Sequence, residues 1–225
     1  LVTSLMGTLG EERNLFEETP EHCRQITVRK PVISNKNLAK IRECQLDDLK
    51  SETISILFDP HVTGGLKSAM DRVQSEASDA ISNGASILIL SDRGVDPENA
   101  PIPSLLATSG VHHHLIRNGI RTKVGLVVET GEAREVAHFS LLIGFGAGAV
   151  NPYLAIETLR DQVEKGEFPS DISAEKAEEN YWKVSVNEFL SYVNQRSQII
   201  IQQLCGESQA VEVELLGAGE EGSEE

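Results

Sequence analysis

Cationic side chains are scarce in this 225-residue sequence: 20 Lys and Arg stand against 35 Asp and Glu, for a formal net charge of −15. Nucleic-acid and anionic-membrane surfaces need clustered Lys and Arg, so the composition argues against both as partners. Long apolar runs are also missing, and none approaches the ~20 residues needed to span a bilayer. The cysteines are only three, Cys23, Cys44 and Cys205, and none forms a C-x-x-C pair. That usage suits a reducing compartment and argues against a zinc or iron–sulfur site built from this chain alone. The opening LVTSLMGTLG has neither an initiator Met nor a basic-then-apolar targeting pattern, which raises the expectation of an internal piece of a longer chain.

What is present is a regular alternation. Residues 1–52 read as an irregular arm. Thr19 is placed to cap a short turn with Pro20 at its first position, and Ser34 to cap a short helix over NKNLAKIRE. In QITVRKPVIS, Pro31 excludes an ordinary central strand and predicts an extended segment. From residue 53 the pattern becomes strand TISILFD, then helix GGLKSAMDRVQSEASDAISNG with Leu66, Met70, Val73, Ala77 and Ile81 as its apolar stripe. Strand SILIL, helix PSLLATSGVHHHLIRN, strand KVGLVVE, helix EAREVAHFSLLIG, strand AGAV and helix NPYLAIETLRDQVEKG follow. This order predicts an α/β fold: βα units forming a parallel sheet or partial (β/α) barrel. Residues 171–205 read as a long helix capped by Ser173, and 206–225 as a solvated, disordered acidic tail.

In such a fold the polar residues that follow each strand gather at one edge of the sheet. Asp92, Arg93, Glu129 and Asn151 are the candidates there, either as a small-molecule clamp or as an internal Asp–Arg brace. The triplet His112, His113 and His114 lies on a helix, where successive side chains diverge by about 100°. The three therefore cannot converge on one ion, and helical zinc ligands need i, i+4 spacing. His112 shares a face with Leu105, Ser109 and Ile116 and is expected to point inward. One of the three with His138 would make a metal pair, but a hydrogen-bonded structural role is the stronger reading for all four. The glycines of GFGAG follow a helix and precede a strand, the reverse of a phosphate loop, and read as a tight turn. No G-x-S-x-G, H-E-x-x-H or Walker pattern occurs.

The run ILILSDRGVDPENAPIPSLLATSGVHHHLIRNGIRTKVGLVVETGEAREVAHFSLLIGFGAGAVNPYLAIETL resembles the central domain of the glutamate synthase large subunit. The upstream LVTSLMGTLGEERNLFEETPEHC and KPVIS fit the same domain, so the resemblance covers about residues 1 to 181. It implies an enzyme that turns glutamine and 2-oxoglutarate into two glutamates. An amidotransferase domain with a cysteine nucleophile releases ammonia, which passes through a tunnel to an FMN domain. Electrons arrive through FMN and a 3Fe-4S cluster, from ferredoxin or from a NAD(P)H-oxidising small subunit. The central domain joins the two catalytic domains, and residues 1–170 take that place here. VETGEAREVAHF leans toward the pyridine-nucleotide and bacterial type.

The sequence departs from the family in several places. The amidotransferase domain is absent, so Cys23, Cys44 and Cys205 inherit no nucleophile role. The family's Thr-Asn-Pro-Pro stretch would lie before Leu1. Ala137 stands where the family usually has a second histidine beside His138. After Tyr181 the resemblance fades, where the family continues into a Lys-Met-Gly-rich segment, and no FMN or cluster ligand carries over. The resulting expectation is a linker and tunnel-wall domain, inactive alone, without cofactor of its own, in the cytoplasm or a plastid. The alternative is an independent α/β binding module with its site at the sheet edge.

Overall fold

In the computed structural model, which describes residues 5–185 apart from 15, 18, 45, 47 and 48, the alternation becomes one parallel sheet. Four strands build it: β3 (Ser51–Ser55), β5 (Ile87–Ser91), β7 (Gly125–Glu129) and β8 (Ala149–Asn151), side by side in chain order. Two short antiparallel pairs flank it: β1 (Gly7–Leu9) with β2 (Ile26–Val28), and β4 (Leu57–Phe58) with β6 (Ala100–Pro101). The helices are α1 (Asn35–Arg42), α2 (Gly65–Ser82), α3 (Ser104–Arg117), α4 (Val136–Gly144) and α5 (Tyr153–Glu164). A further helix starts at 174 and is described as far as 185.

Strand order equal to chain order means the sheet never reverses its winding, as in a segment of a (β/α) barrel. Among the described strands the crevice that a reversal opens in doubly wound sheets does not form. Side-chain alternation then sorts the two faces. Leu88, Leu90 and Leu126 pack with Ile54 against α2 and α3, and Val128 and Val150 pack with Phe139 and Leu142 of α4. Ile87, Ile89, Val127 and Ala149 face the other way, onto Leu9 and Val28 of the arm and Leu38 and Ile41 of α1. The arm and α1 thus fill the side that a closed barrel would enclose. Strands β5 and β7 are buried along their whole length, as their unbroken apolar runs require.

Several local expectations hold. The Ser34 side chain accepts from the Asn37 amide and caps α1. Pro20 opens a 3-10 turn after an extended Thr19. The Ser173 hydroxyl accepts from the Lys176 amide ahead of the last helix. Asn83-Gly84 and Asn118-Gly119 end α2 and α3, with both glycines at positive φ. The segment after Pro31 is extended and joins the sheet edge, where Val150 donates to Pro31 O and Ile33 donates to Val150 O.

Other expectations need correction. The strand predicted at TISILFD starts earlier, at Ser51, and breaks at Ile56, whose carbonyl accepts from Ile102. Leu57 and Phe58 then pair with a different strand. The inner stripe of α2 is Ala69, Val73, Ala77 and Ala80, rotated one residue from the predicted one, and Leu66 is exposed. Small residues let α2 lie close to the sheet, while Met70 sits between helices: a Cβ on Gly110 of α3 would stand 2.3 Å from its Cε. In α3 the inner face is Ser104, Ala107, Thr108, Val111 and Leu115. Ile116 is exposed and His112 lies half-buried on the flank, not in the core. The extension of the last helix from 186 to 205 and the tail at 206–225 lie outside the described residues.

Candidate functional site at the carboxyl edge of the sheet

Register brings Ser55, Ser91, Glu129 and Asn151 into one rung across the carboxyl ends of the four strands. By alternation this rung faces the arm and α1. Glu129 is 1% exposed, and three donors hold it: Ser91 Oγ at 2.6 Å, Arg93 Nε at 2.6 Å and Arg42 Nη2 at 2.8 Å. Burial raises the pKa of this carboxyl, but the Ser91, Arg93 and Arg42 contacts outweigh it and hold the group below the usual carboxylate value. Glu129 is therefore an ionised, buried, fully engaged carboxylate.

Arg93 bridges outward from it. Its Nη1 donates to Glu157 at 3.0 Å, and its guanidinium lies 4.0 Å from the centre of the Tyr153 ring. Both partners belong to α5, so Arg93 ties that helix to the sheet edge. The partner of Arg93 is thus Glu129, and not Asp92 as an Asp–Arg brace would have it.

Asp92 makes its own bonds, with Thr130 Oγ1 at 2.6 Å and the Gly131 amide at 3.0 Å. Burial raises its pKa, against the opposing bonds from Thr130, Tyr153 and Gly131. It fixes the turn after β7. Asn151 is fully buried; its Nδ2 donates to Ile33 O and to Asn35 Oδ1, both at 2.9 Å, pinning the arm and the start of α1. Its Oδ1 is a buried acceptor without a hydrogen-bond partner.

The structure brings Arg93 and Glu129 into contact, sets Asp92 beside them on the next turn, and places Asn151 next to Glu129 in the rung. Arg42, Tyr153, Glu157 and Glu132 complete the arrangement and were not legible as members. Glu132 accepts from the Ser104 amide at 2.8 Å and from its hydroxyl at 2.6 Å, and so caps α3 from another loop. Arg42 is the last residue of α1, and only the packing of α1 on the sheet reveals its target.

The histidines separate. His112 Nδ1 accepts from Arg121 Nε at 2.9 Å, which places the ring proton on Nε2, since Arg only donates. Arg121 also donates to Val124 O and Gly146 O, locking the turn between α4 and β8 to the end of α3. Gly146 has φ 110°, and a Cβ there would stand 2.2 Å from His112 Nδ1. The GFGAG turn is thus shaped around a histidine. His114 Nε2 lies 2.8 Å from Ser78 Oγ and 3.0 Å from Asn118 Nδ2, joining α3 to α2. His113 is exposed, and His138 Nδ1 accepts from the Arg134 amide at 3.2 Å. Among the described residues no three His, Cys, Asp or Glu side chains gather as metal ligands would.

Residues 1–196 match the glutamate synthase central domain. The chain is 45% identical over 183 residues to the glutamate synthase [NADPH] large chain of Bacillus subtilis (strain 168), covering 81% of this chain and 12% of that one. It is 34% identical over 236 residues to the chloroplastic ferredoxin-dependent glutamate synthase of Oryza sativa subsp. japonica, covering 98% and 14%. Against the glutamate synthase [NADH] of Schizosaccharomyces pombe (strain 972 / ATCC 24843) it is 35% identical over 184 residues, covering 80% and 9%. The chain therefore spans between 9% and 14% of the length of these relatives.

The match runs past Tyr181, where the sequence reading ended the resemblance. The structure has no break there either, because Tyr181 and Trp182 pack on the core beneath α4 and the Tyr181 hydroxyl donates to Arg134 O. On the strength of the match over residues 1–196 and of these relatives, the chain belongs to the glutamate synthase central domain family.

Proposed function

We propose that this chain is the part of a glutamate synthase that spaces and couples the catalytic domains, with no chemistry of its own. The single observation that carries the reading is the state of the sheet's carboxyl edge. The two carboxyl groups that would form a site there, Asp92 and Glu129, are buried and already hydrogen-bonded, and the Asn151 amide nitrogen is committed to the arm. Glu129 spends its oxygens on Ser91, Arg93 and Arg42, Asp92 on Thr130 and Gly131, and the Asn151 amide on the arm. Among the described residues at this edge no nucleophile stands beside a free base, and α1 with the arm packs on the face that a closed barrel would enclose. Such an edge braces a scaffold.

On this reading the enzyme as a whole makes glutamate from glutamine and 2-oxoglutarate. Its amidotransferase and FMN domains are the partners of this chain. FMN and a 3Fe-4S cluster, fed by ferredoxin or a NAD(P)H-oxidising subunit, supply its redox chemistry. The residues here do not suit the flavin, because the edge that would receive its phosphate presents two buried carboxyl groups, Asp92 and Glu129. The compartment is the cytoplasm or a plastid. No helix among the described residues is long and apolar enough to cross a membrane.

Purified 225-residue chain should show no glutamine hydrolysis, no glutamate formation from 2-oxoglutarate and ammonia, and no flavin absorption. Turnover in either assay, or a chain that arrives loaded with FMN, overturns the reading.

A further inference from the structure

A pocket of about 640 Å³ lies away from the sheet edge, between the arm, α1 and the helix that starts at 174. Its walls include Val28, Val32, Ile33, Ile41 and Trp182. That volume falls in the range of small-molecule sites, which pair apolar walls with a few placed polar groups.

The charge at this pocket is reversed relative to the rest of the chain. In a protein of net charge −15, the lining carries Arg29, Lys30, Lys40 and Lys183 against one acid, Glu179. Glu179 is already engaged by Lys176 at 3.1 Å and Lys183 at 2.9 Å. Arg29, Lys30 and Lys40 have no carboxylate partner among the described residues. The N-terminus of α1 opens onto the same wall through Ser34 and Asn37. No acidic residue sits in its first turn, so the positive end of the helix dipole is not neutralised from within. Three cations without a carboxylate partner among the described residues, the Ser34-capped N-terminus of α1 and an apolar wall with an indole thus meet in one cavity.

We propose that this pocket binds an organic anion: a carboxylate or phosphate head held at Lys30, Lys40 and the start of α1, with a flat apolar body against Trp182 and Ile41. The inference is independent of the role proposed above. The cations offer strong charge-assisted bonds to an anionic head, and the one carboxylate of the lining, Glu179, is already engaged by Lys176 and Lys183.

Trp182 is the only tryptophan in the chain, so its fluorescence reports directly on the pocket. The 225-residue chain is titrated with phenyl phosphate, benzoate and benzyl alcohol, which share a ring and differ in the head. At least one of the two anions should bind saturably, one per chain, and change the Trp182 emission; the tighter of the two assigns the head. Benzyl alcohol should bind about tenfold weaker or not at all, and Lys30→Glu with Lys40→Glu should weaken the anion by about tenfold while leaving the circular dichroism unchanged. Equal binding of benzyl alcohol, an unaltered affinity in the double variant, or no saturable binding of either anion overturns the proposal.

Discussion

Replacing Glu129 by Gln isolates the bracing role of the sheet edge, because it keeps the shape and removes the charge. The wild-type carboxylate accepts from Ser91, Arg93 and Arg42 at 2.6 to 2.8 Å while 1% exposed. A hydrogen bond to a charged group contributes about 1.5–3 kcal/mol, and breaking a buried ion pair costs about 3–5 kcal/mol. The Arg42 and Arg93 side chains are each 40% exposed, so water recovers part of their share. The remaining cost of Glu129→Gln is about 2–3 kcal/mol. At a urea dependence of about 2 kcal/mol/M this lowers the unfolding midpoint by about 1–1.5 M, read by circular dichroism on the 225-residue chain. In an Arg42→Ala background the same change should cost less, since one of the three donors is already gone. The pH profile gives a second check. The folded pKa of Glu129 lies below its unfolded value, so its contribution is present above pH of about 4.3 and is lost as pH falls through the folded pKa. Glu129→Gln should flatten that acid limb. A midpoint that stays put or rises on Glu129→Gln would refute the reasoning, since a carboxylate kept for a ligand is commonly neutral or costly to the fold.

Three further outcomes follow from the same geometry. His112 is held below the ordinary imidazole pKa by burial and by Arg121 and His113, so the unfolded chain takes up the proton first; stability should fall as pH drops below about 6.5, and His112→Gln should remove that slope in thermal melts. Gly146→Ala combines a positive φ with a Cβ 2.2 Å from His112 Nδ1 and should cost about 3 kcal/mol in urea unfolding; Gly144→Ala, with nothing within 4 Å, should cost under about 1 kcal/mol. Phe139→Ala empties a fully buried site beneath α4 and should cost about 3–5 kcal/mol, with a midpoint shift that exceeds those of surface substitutions.

The parallel sheet was legible because ILILS and GLVVE are unbroken apolar runs bounded by helical periods, and burial on both faces leaves such runs few alternatives. The stripe of α2 was misread by one residue because alanines, with less hydrophobic weight than Leu66 or Met70, make the close contact with the sheet. Periodicity ranks residues by apolarity, whereas packing selects them by size. His112 was misplaced for a related reason: the shared face with Ile116 held, but that face turns toward the flank, and its partner Arg121 lies beyond the helix end. At the sheet edge, strand ends supplied Asp92, Arg93, Glu129 and Asn151. The partner of Arg93 could not be read, because a carboxylate 36 residues away enters only through the register of β5 against β7. Arg42 and Glu157 come from helices whose docking no local pattern encodes.

The central claim is coupling without chemistry, and ammonia bookkeeping in a complete glutamate synthase carrying this segment tests it most directly. With Glu129→Gln in that enzyme, glutamine consumed per glutamate formed should rise and free ammonia should accumulate. Glutamate formation from added ammonia and 2-oxoglutarate should stay at the wild-type rate. Loss of that ammonia-dependent reaction in a folded, flavin-loaded variant, with no ammonia released, would place Glu129 in the chemistry and contradict the account.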